Sequence, residues 1–408
     1  MHTRIAGLMA VALFTVAVVA PNARAARVAT PDPTQGDGGV SAFYAWAGDI
    51  PDAPGQMLRT EPLDPAQGLA PAGEQFRILY SSTDGMDGKT PVAVSGAYFV
   101  PRGPAPAGGW PIVAWAHGTT GIADTCAPSW LPRSARDAAY LGTWLAQGFA
   151  IVATDYQGLG TPGPHPYLAV RPEAYSVLDS VRAVLKGFPN LANKVIIIGQ
   201  SQGGQAAFAS AGIAPKYAPE LNIRGTVVTG IPFFGSASAR RPEASDKPDP
   251  TVAYAFYIGI MAQQSDPSRG PGQLVTARAL ALFEEARTTC VGALFRDTER
   301  AGLNRGNALQ PGFADELRAI LPNLEYTTVR LPQPLFVGAG EQDHDAPPAS
   351  QLALVRNACT QGTIVEAHLY AGRDHSGAVN ASLKDSMPFV RKVMAGEPIK
   401  SICEPVAE

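Results

Sequence analysis

The sequence has little charge and few cysteines. Charged residues make up 16% of the 408 residues and the formal net charge is −3, so the chain lacks the dense basic character that nucleic-acid binding requires. None of the four cysteines lies in a CxxC pair, and no two histidines stand at ligand spacing, which excludes the common zinc motifs. There is no internal repeat. With 46% hydrophobic residues, the chain can form a large globular core.

The N-terminus lacks a hydrophobic run of ordinary transmembrane length. Its apolar run, residues 5–20, has 16 residues, whereas a membrane-spanning helix needs about 20. The run follows Arg4 and precedes an A-x-A pattern that ends at Ala25. This order predicts a secretory signal peptide over residues 1–25, with cleavage near Ala25 and export to the periplasm or the medium. An uncleaved membrane anchor is the alternative.

Export would place the cysteines in an oxidising compartment, where an even number predicts two disulfides. The four cysteines, which allow three pairings, are Cys126, Cys290, Cys359 and Cys403. We favour Cys126 with Cys290, and Cys359 with Cys403, because the second bond would fix the C-terminal tail. Four buried free thiols are the alternative.

The rest of the chain divides by its strand and helix signals. Residues 26–72 are rich in Pro, Gly, Ala and Asp and predict an extended lead-in. Next, QFRILYSST and PVAVSGAYFVP alternate around a Gly-containing turn, which is typical of an antiparallel hairpin. Apolar strands then alternate with helices, which predicts a mostly parallel sheet flanked by helices in a core of residues 73–235 and 326–408. Loops and helical segments over residues 236–325 interrupt this order and predict a helical cap.

The stretch GQSQGG directly follows the apolar strand NKVIII and precedes an Ala-rich helix. It fits G-x-S-x-G, in which the serine sits on a sharp strand-to-helix turn and the glycines avoid collisions with neighbouring backbone. The free N–H groups at the start of the helix favour a developing negative charge. Ser201 is therefore the predicted nucleophile, and a plain tight turn is the alternative.

A serine nucleophile needs a base, and the order Ser, acid, His places that base late in the chain. His375, in AGRDHSG after the last predicted strand, is the predicted base, with His344 as the alternative. The acid is expected after the next-to-last strand, in GEQDHDAPP. There we favour Asp343 over Asp345 as the group that orients the imidazole and stabilises its charged form.

Two main-chain N–H groups are expected to bind an oxyanion. One belongs to Gln202, the residue after the nucleophile, and the other to Thr119 in the loop AWAHGTTG, with Thr120 as the next choice. Thr120 and Tyr156 are also predicted at the substrate, although for Tyr156 we favour a role in capping its turn. His117 precedes the serine in the chain and is interpreted as a structural residue.

Together, AHGTTG, DTCAPS, DYQGLG, GQSQGG, GEQDHDAPP and RDHSG resemble the α/β-hydrolase superfamily. Within it they are similar to the secretory lipase family of the lipase A type and to related exported bacterial lipases and esterases. The resemblance, over residues 75–400, implies an eight-stranded-type α/β-hydrolase sheet, a Ser–Asp–His triad, two disulfides and a helical cap that forms the acyl pocket. In one departure, the stretch before Cys126 does not reproduce the side-chain oxyanion donor of the fungal members.

These features predict a secreted serine carboxylester hydrolase, a lipase or an esterase, that acts on small-molecule or lipid esters. It would need no metal or organic cofactor and no nucleic-acid partner. The alternatives are a peptidase, acyltransferase or polyester hydrolase with the same triad, and a non-enzymatic binding module. Four residues of the predicted cap favour an apolar acyl group: Tyr254, Phe256, Tyr257 and Ile258. The equal alternative is that these side chains pack the cap onto the core. A cap of this kind is also compatible with transient contact with a lipid interface.

Overall fold

A computed structural model of the chain describes His2 and residues 30–234 and 246–408. Apart from His2, the predicted signal peptide lies outside the described residues, as does its cleavage site near Ala25. Residues 235–245, at the junction of the predicted core and cap, lie outside them as well. In the described part, no helix is both long enough and apolar enough to cross a membrane.

A single mixed sheet of nine strands forms the centre of the fold. The strands are β1 Met57–Pro62, β2 Glu74–Thr83, β3 Pro91–Val100, β4 Trp110–Ala116, β5 Ala150–Thr154, β6 Leu191–Gln200, β7 Ile223–Thr229, β8 Leu335–Gly340 and β9 Val365–Tyr370. Their order is β1-β2-β3-β5-β4-β6-β7-β8-β9. The pairs β1–β2, β2–β3 and β3–β5 are antiparallel, and all other neighbours are parallel. This confirms the predicted hairpin and the mostly parallel sheet.

Alternate residues of the central strands face two separate hydrophobic layers. Ile112 and Ala114 of β4 pack in one core cluster, and Val113 and Trp115 of the same strand pack in another. Both faces are covered, which explains why these strands read as continuous apolar runs rather than as alternating ones.

The sheet has one strand more than the eight-stranded type that we predicted. The additional strand, β1, lies inside the predicted lead-in, and each of its residues is half-buried or exposed. Its sequence, MLRTEP, has no apolar alternation that would indicate a strand. Antiparallel pairing with β2 at the edge of the sheet holds it in place, and the local sequence pattern does not encode such a long-range contact.

The described residues form twelve α-helices. They are α1 Ala135–Ala146, α2 Val170–Gly187, α3 Gln202–Tyr217, α4 Val252–Ser265, α5 Leu280–Glu285, α6 Val291–Arg300, α7 Arg305–Ala308, α8 Phe313–Glu316, α9 Leu321–Leu324, α10 Pro348–Thr360, α11 Gly377–Ala381 and α12 Leu383–Ala395. Apolar residues of α2, α3 and α10 belong to the cluster on one face. Those of α1, α11 and α12 belong to the cluster on the other face.

The segment between β7 and β8 contains α4 to α9, and we call residues 246–324 the cap segment. Its apolar side chains, which include Phe256, Phe283 and Leu294, pack in one hydrophobic cluster together with Ile122 and Tyr167 of the core. Contacts with the core include the Tyr167 and Tyr257 rings, which meet edge to face, and the side-chain amide of Gln205, which donates to Leu324 O over 2.8 Å.

Both predicted disulfide pairings are confirmed. Cys126–Cys290 joins the loop after β4 to the residue before α6, and so links the core to the cap segment. Cys359–Cys403 ties α10 to the C-terminal tail. All four cysteines are therefore oxidised, as in proteins that fold in an oxidising compartment.

Candidate active site

Ser201 stands at the turn between β6 and α3 with a strained backbone. Its φ of 58° and ψ of −124° are rarely adopted by residues other than glycine. Its N–H donates to Thr229 O over 2.9 Å, which holds the turn against β7. A methyl group at Gly203 would collide with Ala116 O, and one at Gly199 would collide with Gly203 O. The two glycines of the motif thus let α3 begin directly against the strands.

His375 and Asp343 form a hydrogen-bonded pair near the ends of β9 and β8. Asp343 Oδ2 lies 2.8 Å from His375 Nδ1 and also accepts from the Gln351 amide over 3.0 Å. Asp343 Oδ1 accepts from the main-chain N–H groups of Asp345 and Ala346. These bonds fix the buried carboxylate, which in turn places the imidazole hydrogen on Nδ1 and leaves a lone pair on Nε2.

Asp345 and His344, the alternatives for the acid and the base, make other contacts. Asp345 accepts a hydrogen bond from the Tyr254 hydroxyl over 2.8 Å, and His344 is exposed on the wall of the cavity beside Ser201. The structure therefore brings Asp343, and not Asp345, into hydrogen bonding with the predicted base.

Asp343, Asp345 and His375 also have ligand atoms within 4.8 Å of one another, as a metal site requires. Each Asp343 oxygen, however, already accepts two hydrogen bonds. A cation bound there would have to displace His375 from Asp343. The donor set thus fits an acid–imidazole pair better than a metal centre.

Gln200, the residue before the nucleophile, contacts the free side of His375. Its Nε2 donates to His375 Nε2 over 2.9 Å, and its Oε1 accepts from Arg136 over 3.0 Å. Arg136 also donates to Ser376 Oγ, next to His375. In the described residues, no hydrogen bond joins Ser201 Oγ to His375. Sequence reasoning missed Gln200 and Arg136, and the only signal was the position of Gln200 beside Ser201.

Gly230, just after β7, packs against the imidazole and was also missed. Its φ is +58°, and a methyl group there would lie 2.6 Å from His375 Cε1 and 2.8 Å from His375 Nδ1. Any side chain at this position would therefore push the imidazole away from its place.

The main-chain N–H of Gln202 begins α3 and so has no acceptor within the helix. Ser201 and Gln202 both line a cavity of about 410 Å³. Thr119 is held close to this cavity, because its Oγ1 lies 2.7 Å from the hydroxyl of Tyr167, which lines the wall. The two predicted oxyanion donors are thus the N–H groups of residues at or beside the cavity that contains the serine.

The two predicted substrate contacts do not line this cavity. Tyr156 is completely buried with a φ of 72°, and its hydroxyl donates to His117 O over 2.9 Å. The His117 ring nitrogens contact the carbonyl oxygens of Gly118 and Asp155. Tyr156 and His117 therefore support the loop that carries Thr119. Thr120 is in this loop, and its carbonyl accepts from the first residue of α6.

The residues that line the cavity are mainly apolar, and they belong to both the core and the cap segment. Tyr254 and Ile258, one helical turn apart on α4, face the cavity, whereas Phe256 and Tyr257 are buried in the cluster of the cap segment. The other lining residues are Tyr167, Leu168, Pro232, Phe233, Phe234, Arg305, His344, Asp345, Ala346, Pro347, Ala349 and Ser350.

A family model for secretory lipases matches residues 134–241, which include the Ser201 turn. The chain is related to the secretory lipases. One such relative, Lipase A of Moesziomyces aphidis, is 26% identical over 413 residues, covering 92% of this chain and 83% of that protein.

Similar solved structures show that this chain has the α/β-hydrolase fold. Candida antarctica lipase A in its closed state matches with a TM-score of 0.73 and 22% identity, over 90% of this chain and 89% of that chain. The rice cell wall degrading esterase LipA from Xanthomonas oryzae, in a ligand-bound form, matches with a TM-score of 0.65 and 20% identity. It covers 83% of this chain and 98% of its own.

Proposed function

We propose that this α/β hydrolase cleaves carboxylic esters through an acyl-enzyme on Ser201. The observation that carries the proposal is the 2.8 Å hydrogen bond between Asp343 and His375. Ser201, which has a strained backbone, lines the apolar cavity beside this pair. A serine, a base and an acid that orients the base are the three parts of nucleophilic acyl transfer.

In the first step, Ser201 Oγ attacks the ester carbonyl and its proton passes to His375 Nε2. Asp343 stabilises the imidazolium that forms. The N–H groups of Gln202 and Thr119 bind the oxyanion, with the positive end of α3 behind the first of them. The imidazolium then protonates the leaving alkoxide and the alcohol departs.

This step requires the Nε2 lone pair, which in the substrate-free arrangement accepts from the Gln200 amide. A small rotation must therefore turn the lone pair from Gln200 towards Ser201 Oγ when the substrate binds. In the second step, water loses a proton to His375 and attacks the acyl-enzyme, and the carboxylic acid leaves as Ser201 recovers its proton.

The signal peptide and the role of the cap segment also belong to the proposal. Export after cleavage near Ala25 agrees with the two disulfides. Tyr254 and Ile258 give the cap segment a direct share in the cavity wall. Because this wall is apolar, it suits the acyl chain of an ester, and we propose that it forms the acyl pocket.

The first prediction concerns acyl length. Each methylene buried against this wall contributes about 0.8 kcal/mol, so kcat/KM should rise about 4-fold per carbon until the cavity is full. Ile258→Trp fills part of the cavity and should move the optimum to shorter chains. The measurement is hydrolysis of p-nitrophenyl esters from acetate to palmitate, below and above the solubility limit of each.

Gln264→Trp is the matched control, because Gln264 lies on the same helix but lines a different cavity. It should leave the optimum unchanged. A rate increase on emulsion formation would identify a lipase, and saturation with short soluble esters an esterase. If Ile258→Trp left the length profile unchanged, the cavity would not be the acyl pocket.

The second prediction concerns Gly230. Gly230→Ala should displace His375 and lower kcat about 100-fold, because misplacement of a reacting group by about 1 Å can cost that much. Gly270→Ala, whose methyl group would have nothing within 4 Å, is the control and should retain the wild-type kcat. Hydrolysis of p-nitrophenyl butyrate measures both, and equal rates in the two variants would contradict this role of Gly230.

A further inference from the structure

A buried acid, Glu173, lies behind the nucleophile turn near the start of α2. It is completely buried, and its Oε1 accepts from Gln202 Nε2 over 2.7 Å and from the Leu168 N–H over 2.9 Å. Gln202 and Leu168 both line the cavity that contains Ser201. One carboxyl oxygen therefore holds two residues of the active-site wall, and one of these supplies the proposed oxyanion donor.

His165 contacts the same amide from another side. Its Nδ1 lies 2.8 Å from Gln157 O and must donate, which leaves Nε2 to accept from Gln202 Nε2 at 3.0 Å. This tautomer is neutral, since burial lowers the pKa of His165 to about 4. Both hydrogens of the Gln202 amide are thus used, one on Glu173 and one on His165.

Among the described residues, none that faces Glu173 supplies a positive charge. In the described part of the chain, Glu173 Oε2 has no hydrogen-bond partner. An unpartnered anionic oxygen would be far more costly here than the unpartnered hydroxyl of a carboxylic acid, which carries its proton on Oε2 and keeps Oε1 as the acceptor. Burial raises the pKa of Glu173 to about 8. Besides the neutral His165, the titratable groups that face it are three tyrosines: Tyr156, Tyr167 and Tyr326.

We propose that Glu173, as a neutral carboxylic acid, is a positioning residue that holds Gln202 and Leu168 in place at the oxyanion site. The proposal rests on the proposed function. Leu168 has a φ of 60°, a strained conformation that its hydrogen bond to Glu173 helps to maintain. When Glu173 loses its Oε2 proton to solvent at alkaline pH, a negative charge appears behind Gln202 and opposes the charge of the transition state.

The test compares wild type, Glu173→Gln and Glu173→Ala by pH-stat titration of the acid released from triacetin between pH 6 and 10. Wild-type kcat should fall about 10-fold as Glu173 ionises. Glu173→Gln keeps an acceptor at Oε1 and cannot ionise, so its kcat at pH 7 should stay within about 3-fold of wild type and the alkaline fall should disappear. Glu173→Ala should lower kcat about 10-fold at every pH with little change in KM.

Asp124→Asn is the matched control. Asp124 is also a buried acid with one unpartnered oxygen, and burial raises its pKa to about 7, but its hydrogen bond goes to the Gly38 N–H. This variant should retain the alkaline fall of kcat. If Glu173→Gln kept that fall, the proposal would be overturned, and loss of the fall in Asp124→Asn would then assign it to Asp124.

A second readout, thermal unfolding, does not depend on activity. The pKa of Glu173 lies above its ordinary 4.5, so between these values the folded chain holds a proton that the unfolded chain has lost. The contribution of Glu173 to the free energy of unfolding of the wild type therefore falls as pH rises from about 4.5 to about 8. The Tm of Glu173→Gln relative to wild type should rise over this window and then level off, and a constant difference would contradict a neutral Glu173.

If neither variant folds, the wild type itself provides the test. Infrared difference spectra between pH 6 and 10, with ¹³C-labelled glutamate, should show the C=O band of a buried protonated glutamate. This band should disappear over the same pH range in which kcat falls. Absence of that band at pH 6 would overturn the proposal. Should wild type lack esterase activity altogether, the proposed function fails, and the infrared and Tm results would still show whether Glu173 is neutral.

Discussion

Replacing Ser201 by alanine should lower kcat for ester hydrolysis by at least about 10⁴-fold, since removal of a nucleophile eliminates the acyl-enzyme route. The substitution deletes one hydroxyl at a half-buried position and leaves the main-chain bond from residue 201 to Thr229 O intact. Ester binding should therefore change little, and the loss should appear in kcat. The measurement is p-nitrophenyl butyrate hydrolysis at saturating substrate.

Ser350→Ala is the matched control, because Ser350 lines the same cavity. Its hydroxyl donates to Phe233 O over 3.2 Å and contacts neither His375 nor Asp343 in the described structure. It should retain kcat within about 3-fold, as surface and wall substitutions usually do. Comparable rates from Ser201→Ala and wild type would remove Ser201 from the mechanism.

Asp343→Asn should lower kcat by about 10⁴-fold without unfolding the protein. An asparagine amide can donate to Nδ1, which favours the imidazole tautomer with its hydrogen on Nε2 and so removes the base. Asp345→Asn should stay within about 3-fold of wild type, because the new side-chain oxygen can still accept from the Tyr254 hydroxyl. The measurement is again kcat for p-nitrophenyl butyrate, with circular dichroism to check folding.

This pair of variants separates the two acids that the sequence left open. A large loss in Asp345→Asn with little loss in Asp343→Asn would reverse their assignment. Equal small losses in both would mean that His375 does not depend on a carboxylate.

Much of the fold could be predicted because local patterns encode it. The parallel strands are apolar on both faces, and glycines and prolines mark the turns and helix ends between them. Ser201, Asp343 and His375 follow three of these strands, and the carboxyl ends of parallel strands meet at one edge of the sheet. Their order in the chain was therefore sufficient to nominate them, and the structure adds the hydrogen bond between the last two.

The residues that escaped prediction depend on contacts between distant segments. Gln200 reaches His375 across 175 positions of the chain, and Gly230 contacts the same ring from the end of β7. In the sequence, Glu173 is typical of an acid in the first turn of a helix, where a carboxylate interacts favourably with the positive end of the helix dipole. Only the packing of α2 against α3 shows that it is buried beside Gln202.

Tyr156 illustrates the converse case. Its place after a central strand suggested a substrate contact, yet its positive φ turns the side chain into the core beneath His117. Strand ends identify which loops reach the active site, whereas the backbone dihedral of each residue decides which side chains of those loops face the cavity.

The most direct measurement is covalent labelling of the wild-type protein with a fluorophosphonate, followed by mass spectrometry of its peptides. We expect one adduct, on Ser201, with labelling strongly slowed in Asp343→Asn and unchanged in Ser350→Ala. An adduct on another residue, or none in a folded wild-type protein, would contradict the claim that Ser201 is an activated nucleophile.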